Sequence, residues 1–224
     1  LVVKPAVHGR GEDRQGRVMG AESADARPRK VVLSWNPGGY VDKVGDAHVY
    51  PRVPQTAETN AFIRRLGHDT KPVFLSEYGI GSACDLVRLV KLYEQAGKPD
   101  VEDARFYRAQ RDRFLADWQR WKMSEAFDRP EDFFAQSNAR MAGQRLLGLN
   151  AIRSNPNVIG YSLTGTVDQG MSGEGRWTTF RELKPGTADA LFEGFAPLRL
   201  CLFVEPLHAY RGTPARFEAV LANE

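Results

Sequence analysis

Hydrophobic residues form four short runs along the chain, each closed by a turn former or a polar residue. The runs are 30–34, 44–50, 72–76 and 158–163. Runs of this length that contain β-branched residues are typical of buried strands. Amphipathic spacing predicts helices at 56–66, 82–97, 104–122, 130–153 and 187–194. Strands that alternate with helices predict a parallel sheet covered by helices, which is an α/β fold.

The two ends of the chain depart from this alternation. Residues 1–29 are polar and rich in turn formers, so they predict an irregular arm after one short strand at 1–3. Between 199 and 224, two apolar runs at 200–204 and 216–221 follow each other with no helical pattern between them. This part of the sequence therefore predicts the start of an all-β unit.

The helical stretch at 82–155 is far longer than an ordinary connection between two strands. Ser82, with Asp85 three residues later, predicts a helix start close to a capping box. Further along, Trp118 and Trp121 lie on one helical stripe and are expected in the core.

The composition is that of an ordinary globular protein, with 42% hydrophobic and 26% charged residues and a net charge of +3. It excludes a disordered tail, a collagen-like fibre and a coiled coil, and the scattered basic residues argue against a nucleic-acid partner. The cysteines, Cys84 and Cys201, have no zinc spacing, so no metal or cofactor is expected. No apolar run reaches the roughly 18 residues of a membrane span. Leu1 is not an initiator residue, so we expect the natural N-terminus upstream, and the sequence leaves the compartment open.

Polar and aromatic residues follow the predicted strands, where parallel sheets bind their ligands. The candidates for a site at this edge are Trp35, Asn36, His48, Tyr50, Glu77, Tyr78 and Asp168. Glu77 is the sharpest candidate because it directly follows a buried apolar run, where a carboxylate must be desolvated or paired. Enzymes accept that cost for a nucleophile or an acid. The alternative is an exposed glutamate in a loop.

The strand before Glu77 adds side chains on one predicted face. Neighbours along a strand alternate sides, so His48 and Tyr50 point one way and Val49 the other. Asp46 shares the side of His48 but lies deeper, where a structural hydrogen bond is as good an interpretation as a functional one.

Four segments of the chain resemble glycoside hydrolase family two, the family of β-galactosidases and β-glucuronidases. Residues 71–79 read Lys-Pro-Val-Phe-Leu-Ser-Glu-Tyr-Gly and closely resemble the family's nucleophile strand. Residues 45–51 resemble the preceding barrel strand, which ends in a tyrosine beside that glutamate. The other matches are to the last barrel strand and its loop, and to the entry into the following β-sandwich: 158–161, 166–169 and 197–224. In all, the resemblance covers residues from about 30 to 224.

The resemblance implies half of a (β/α)8 barrel. Residues 30–198 would supply barrel strands five to eight, and 199–224 would begin the β-sandwich. Residues 82–155 would be an insertion between the last two strands, either roofing the active site or packing outside it. A whole barrel takes about 250 residues, so the remainder of the polypeptide would be a necessary partner. The open edges of a half barrel predict that the chain alone is inactive and insoluble, oligomeric or loosely packed.

The resemblance also implies the chemistry of a retaining exo-β-glycosidase, which works by double displacement with two carboxyl groups. Glu77 matches the nucleophile, and Tyr50 would orient it. The carbohydrate would be held by His48, Asn36, Trp35, Tyr78, Asp168 and Trp177. Two of these residues have an alternative role: Trp35 can be a packing residue, and Asp168 can cap its loop.

The family's acid/base is a glutamate after asparagine, and no such pair precedes residue 30, so we expect it outside this chain. Glu12, Asp46, Asp168 and Glu174 are weaker candidates for this role. The family's sugar-stacking tryptophan after the last strand is also absent, and residues 162–165 read Ser-Leu-Thr-Gly instead. Two alternatives remain: an inactive carbohydrate-binding or scaffold protein, and an enzyme of another barrel family.

Overall fold

The computed structural model describes residues 45–68 and 72–223. The polar arm at 1–29 and the predicted strand at 30–34, with Trp35 and Asn36, lie outside these residues. The elements are β1 (Gly45–Val49), α1 (Ala57–Arg65), β2 (Val73–Tyr78), α2 (Leu86–Gln95), α3 (Glu102–Arg120), a 3-10 turn (Met123–Glu125), α4 (Pro130–Arg153), β3 (Val158–Leu163), α5 (Thr187–Gly194), β4 (Leu198–Glu205) and β5 (Arg216–Asn223). Every strand and α-helix predicted within the described residues is present, with ends shifted by a few residues.

The strands β1, β2 and β3 form a parallel sheet in that order, which confirms the predicted α/β class. Helices α1 and α4 pack on one face of this sheet. The core between them is made of apolar side chains from both layers: Ala47, Val49, Ile63, Val73, Leu75, Tyr78, Met141, Ala151 and Ile152. The opposite face of the sheet is therefore the one that can present polar groups.

A β-bulge in β2 controls which side chains face the helices. Ala47 pairs with Leu75, but the next pair is His48 with Glu77, so Ser76 is an extra residue. An extra residue in a strand inverts the alternation beyond it. As a result Leu75 and Tyr78, three residues apart, both enter the helix-side core. Glu77, between the bulge and Tyr78, faces the other side of the sheet.

Helix α4 joins two hydrophobic cores. Its C-terminal part packs on the sheet, whereas Phe134 near its start belongs to a second cluster with α2 and α3. Pro130 occupies the first turn as the sequence predicts, and the Asp132 carboxylate accepts the backbone N–H of Arg129 at 3.2 Å. The long segment between β2 and β3 is thus tied to the sheet by its own last helix.

The structure departs from prediction at two places in this helical segment. Helix α2 begins at Leu86 with Asp85 as its N-cap, because the Asp85 carboxylate accepts the backbone N–H of Arg88 at 2.9 Å. Ser82 instead hydrogen-bonds the carbonyl of Gly173. Trp118 is buried as expected, but Trp121 is 66% exposed because α3 ends at the preceding residue.

Strands β4 and β5 form an antiparallel pair, as the two C-terminal apolar runs predict. One face of the pair enters the main core through Cys201, Phe203 and Ala222. Arg64 of α1 stacks over the Phe203 ring at 4.2 Å and pairs with Glu218. Among the described residues, no helix is both long and apolar enough to cross a membrane.

Replacing Gly148 with alanine is expected to destabilise the protein. A Cβ atom there would lie 1.5 Å from the hydroxyl of the buried Tyr78, whose ring is locked in the core. Overpacking of this kind costs about 1–3 kcal/mol. The matched control is Gly143→Ala on the same helix, where a Cβ meets nothing within 4 Å. That control should stabilise the helix by about 0.5–1 kcal/mol. Urea unfolding measures both, and equal effects would contradict this account.

Candidate functional site

Three predicted site residues meet at the carboxyl ends of β1 and β2. The Tyr50 hydroxyl donates a hydrogen bond to Glu77 Oε2 at 2.7 Å. His48 Nδ1 lies 3.2 Å from the same oxygen. His48 and Tyr50 reach Glu77 from one side of β1, as the alternation along the strand predicts, and the bulge in β2 turns Glu77 toward them. The arrangement holds one carboxylate oxygen between two hydrogen-bonding side chains.

Asp46 contacts both the bulge in β2 and the His48 side chain. It is 1% exposed, and its Oδ1 accepts the backbone N–H of Ser76 at 3.3 Å. Ser76 is the extra residue of the bulge, and it stands outside the regular pairing between the two strands. Oδ2 lies 3.5 Å from His48 Nε2. Asp46 therefore takes the structural hydrogen-bonding role, since it spans the bulge and holds the imidazole that contacts Glu77.

The Tyr50 phenol is held in its protonated form. Partial burial raises the pKa of Tyr50 to about 12, and the hydrogen bond and negative charge of Glu77 and the charge of Glu174 add to the rise, while a contact with Thr164 opposes it. A phenol with this pKa stays a hydrogen-bond donor throughout the physiological range. Glu77 is therefore supplied with a stable neutral donor.

A second carboxyl group lies beyond Tyr50. The Thr164 hydroxyl, at the end of β3, donates to Glu174 Oε1 at 3.0 Å. Glu174 belongs to the loop after β3, which folds back over the sheet edge. The sequence indicates Glu174 only as a weak acid candidate and Thr164 only as the first residue after a strand. Their contact depends on the path of the loop, which no local pattern reveals.

Arg145 is a buried cation behind this loop that sequence reasoning missed. It is 1% exposed, and its Nη2 donates to the backbone carbonyl of Glu174. Its Nε and Nη1 have no hydrogen-bond partner among the described residues. Burial lowers the pKa of Arg145, and the negative charges of Glu174 and Asp168 oppose that effect. A charged residue in a helix ordinarily indicates a solvent-facing position, so the sequence carries no signal for this one.

Asp168 takes the loop-capping role, one of the two that the sequence left open. Its side chain is 5% exposed, and its Oδ1 accepts from Lys184 Nζ and from the Gly175 N–H, each at 2.8 Å. Lys184 also donates to the carbonyl of Gly173 at 2.8 Å. This buried pair ties together two parts of the loop.

Tyr78, a further predicted contact within the described residues, does not join the Glu77 group. Tyr78 is fully buried, with its hydroxyl against Gly148 and 3.5 Å from Gln55 Oε1, because the bulge turns it toward the helices. We therefore leave Tyr78 out of the substrate-binding set. Trp177 is 39% exposed on the loop after β3, and its backbone is anchored to Thr166 and Asp168.

The comparisons with known proteins support a glycosidase-like fold. No protein-family model matches the chain, and no curated protein matches it. The structure is similar to that of a β-D-mannosidase from Dictyoglomus thermophilum, with a TM-score of 0.51 and 16% sequence identity. The match covers 95% of this chain and 30% of the mannosidase chain. The chain thus has a fold like that of part of this β-D-mannosidase.

Removing the charge of Glu77 is expected to lower the pKa of Tyr50. The nearby negative carboxylate disfavours the phenolate, so Glu77→Gln relieves that repulsion and weakens the hydrogen bond that keeps the proton on Tyr50. An ultraviolet titration of the phenolate measures the change, with Tyr50→Phe identifying the contribution of this tyrosine. An unchanged Tyr50 titration would contradict the contact.

Breaking the Lys184–Asp168 pair from one side should strongly destabilise the protein. Lys184→Met leaves a buried carboxylate without its cation, which costs about 3–5 kcal/mol. The matched control is Arg88→Met, which breaks the more exposed Arg88–Glu182 pair and should cost at most about 1 kcal/mol. Urea unfolding compares the two, and similar losses would show that the Lys184 pair is not effectively buried.

Proposed function

We propose that the chain is the C-terminal half of the catalytic barrel of a retaining exo-β-glycosidase. The observation that carries the proposal is the position of Glu77 at the carboxyl end of β2, with Tyr50 donating to it at 2.7 Å and His48 at 3.2 Å from it. The resemblance of residues 71–79 to a nucleophile strand and the glycosidase-like fold support the same assignment.

In the proposed reaction Glu77 attacks the anomeric carbon as the glycosidic bond breaks, and the leaving alcohol takes a proton from the acid/base. Water then hydrolyses the glycosyl-enzyme intermediate. Attack needs an ionised carboxylate with a lone pair aimed at the sugar. Tyr50 and His48 both contact one oxygen of this carboxylate, Oε2. A hydrogen bond from a neutral phenol stabilises the ionised form and fixes the rotation of the carboxylate.

Retention requires a second carboxyl group about 5–5.5 Å from the nucleophile. We assign this acid/base to a glutamate outside the chain, supplied by the remainder of the polypeptide. In the same arrangement β1, β2 and β3 are barrel strands six, seven and eight, and residues 30–34 are strand five. Residues 82–155 are the insertion between the last two strands, and β4 and β5 open the β-sandwich.

The substrate is a β-linked carbohydrate of the galactoside or glucuronide kind. His48 borders the Glu77 carboxylate and is the described side chain best placed to contact a hydroxyl beside the anomeric centre. Trp177, and Trp35 with Asn36 from the segment outside the described residues, complete the proposed sugar contacts. The β-mannosidase likeness adds mannosides to the sugars to be tested.

The decisive experiment is covalent labelling of the full-length protein. Incubation with 2-deoxy-2-fluoro galactosyl, glucosyl, mannosyl and glucuronyl fluorides should trap the intermediate, and peptide mass spectrometry should find the sugar on Glu77. Glu77→Gln should lower kcat by roughly six orders of magnitude, the scale for loss of an acting nucleophile. An adduct on another residue would refute the assignment. No adduct with any sugar, together with ligand binding retained by Glu77→Gln, would favour a carbohydrate-binding protein.

Tyr50→Phe is expected to lower kcat by about 100-fold, because it removes one preorganised donor from the reacting carboxylate. KM should change little, since the hydroxyl acts on Glu77 and not on the bound sugar. Steady-state kinetics on aryl glycosides measures both constants. The control is Tyr210→Phe, a tyrosine that is 88% exposed. A loss confined to KM would assign Tyr50 to substrate binding instead.

A further inference from the structure

Both nitrogens of the His48 ring face carboxylate oxygens. Nδ1 lies 3.2 Å from Glu77 Oε2, and Nε2 lies 3.5 Å from Asp46 Oδ2. A neutral imidazole carries one N–H, so it can donate in only one of these two directions. With both carboxylates ionised, both contacts are hydrogen bonds only when the ring carries a proton on each nitrogen. The geometry therefore favours an imidazolium held between two carboxylates.

The two carboxylates differ in what the proposed reaction does to them. The charge of Glu77 disappears when this residue forms the bond to the sugar, and it returns when water cleaves that bond. Asp46 is 1% exposed, and its Oδ1 accepts the Ser76 N–H at 3.3 Å. Closed off from solvent, Asp46 takes no part in the covalent steps. It is therefore the constant negative charge beside His48.

An imidazolium at this depth needs a counter-charge in every state of the reaction. The His48 side chain is 16% exposed, and a partly desolvated cation is disfavoured unless an anion lies beside it. While Glu77 is bonded to the sugar, Asp46 is the anion in contact with the ring. Tyr50 contacts Glu77 Oε2 as a neutral phenol and adds no negative charge. Asp46 can thus keep the ring protonated in the intermediate.

We propose that Asp46 is a positioning residue that keeps His48 charged in the glycosyl-enzyme intermediate, so that His48 assists the departure of Glu77. In this step the water oxygen bonds to the anomeric carbon and a water proton goes to the acid/base. The bond from that carbon to Glu77 breaks, and its electron pair stays on the carboxylate. The imidazolium of His48 stabilises this returning negative charge. The kinetic part of the inference rests on the proposed function of Glu77, whereas the arrangement of protons on the ring does not.

Asp46→Asn separates the charge of this residue from its support of the bulge. The amide oxygen can still accept the Ser76 N–H, whereas the amide NH2 replaces Oδ2 opposite His48 Nε2. The ring then accepts at Nε2 and keeps its single proton on Nδ1, toward Glu77. The variant therefore preserves the hydrogen bonds and removes the positive charge next to the candidate nucleophile.

The kinetic test uses the full-length protein and the dinitrophenyl glycoside of the sugar that labels Glu77, so that the first step is fast. We expect Asp46→Asn to lower kcat and KM together by about tenfold or more, the scale for loss of an outer partner of a reacting group. The ratio kcat/KM should be unchanged or higher, because the cation stabilises the free carboxylate and does not favour its attack. Rapid mixing should show a burst of one dinitrophenolate per enzyme molecule.

The matched control is Asp189→Asn, an exposed aspartate of α5, which should leave both constants unchanged. A fall of kcat/KM in Asp46→Asn with no burst would overturn the inference, since a general loss of structure slows both steps. Thermal melts of the two variants verify that they fold.

A double-mutant cycle tests whether Asp46 acts through the ring. His48→Gln leaves Asp46 and the bulge in place and should itself slow the second step and produce a burst, which keeps the inference testable if Asp46→Asn does not fold. Asp46→Asn should cause no further loss in the His48→Gln background. An equal fold-loss in both backgrounds, or a His48→Gln variant without a burst, would overturn the inference.

A spectroscopic measurement distinguishes failure of this inference from failure of the proposed function. Absence of turnover and of any fluorosugar adduct in the unmodified protein would reject the proposed function alone. Histidine-selective nitrogen-15 labelling reports the protons on the His48 ring, with His48→Gln assigning its signals. The ring is faced by Asp46 of its own strand and by Glu77 of β2, and both its nitrogens should carry protons at neutral pH. Asp46→Asn should remove the proton on Nε2, and identical ring signals in the two proteins would overturn the inference.

Discussion

The extra residue in β2 decides which side of the sheet Glu77 faces. Without the bulge at Ser76, strict alternation would direct Glu77 to the same side as Leu75, into the apolar layer against α1 and α4. A lone carboxylate there would cost several kcal/mol. The bulge instead sends Tyr78 into the core and leaves Glu77 facing Tyr50. Asp46 accepts the N–H of Ser76 and thereby stabilises the irregularity on which the candidate site depends.

Buried charged side chains also hold the loop after β3 in place. Lys184 and Asp168 form a pair that is closed to solvent, and Arg145 holds the backbone of Glu174 from the helix side. The resulting path of the loop brings the Glu174 carboxylate to Thr164. A loop with eleven residues from 165 to 175, four of them glycine, would otherwise have many alternatives.

Three observations bear on the proposed glycosidase assignment. The segment around Glu77 resembles a nucleophile strand, the side chains predicted to face it contact it, and the fold is similar to part of a β-mannosidase. A fold by itself does not determine chemistry, so the contacts of Glu77 carry the assignment.

Much of the fold and the central contact of the site follow from sequence alone. Apolar runs and helical spacing locate the described strands and helices, because burial of one face imposes a characteristic period on each kind of element. Alternation along β1 places His48 and Tyr50 on the same side. The sequence does not reveal the bulge, which turns Tyr78 away from the site, nor the burial of Asp168 and Arg145. These features depend on pairing register and on a loop that folds back onto another element. Local pattern is determined by each segment's own periodicity, whereas register and loop path are decided only when distant segments pack against each other.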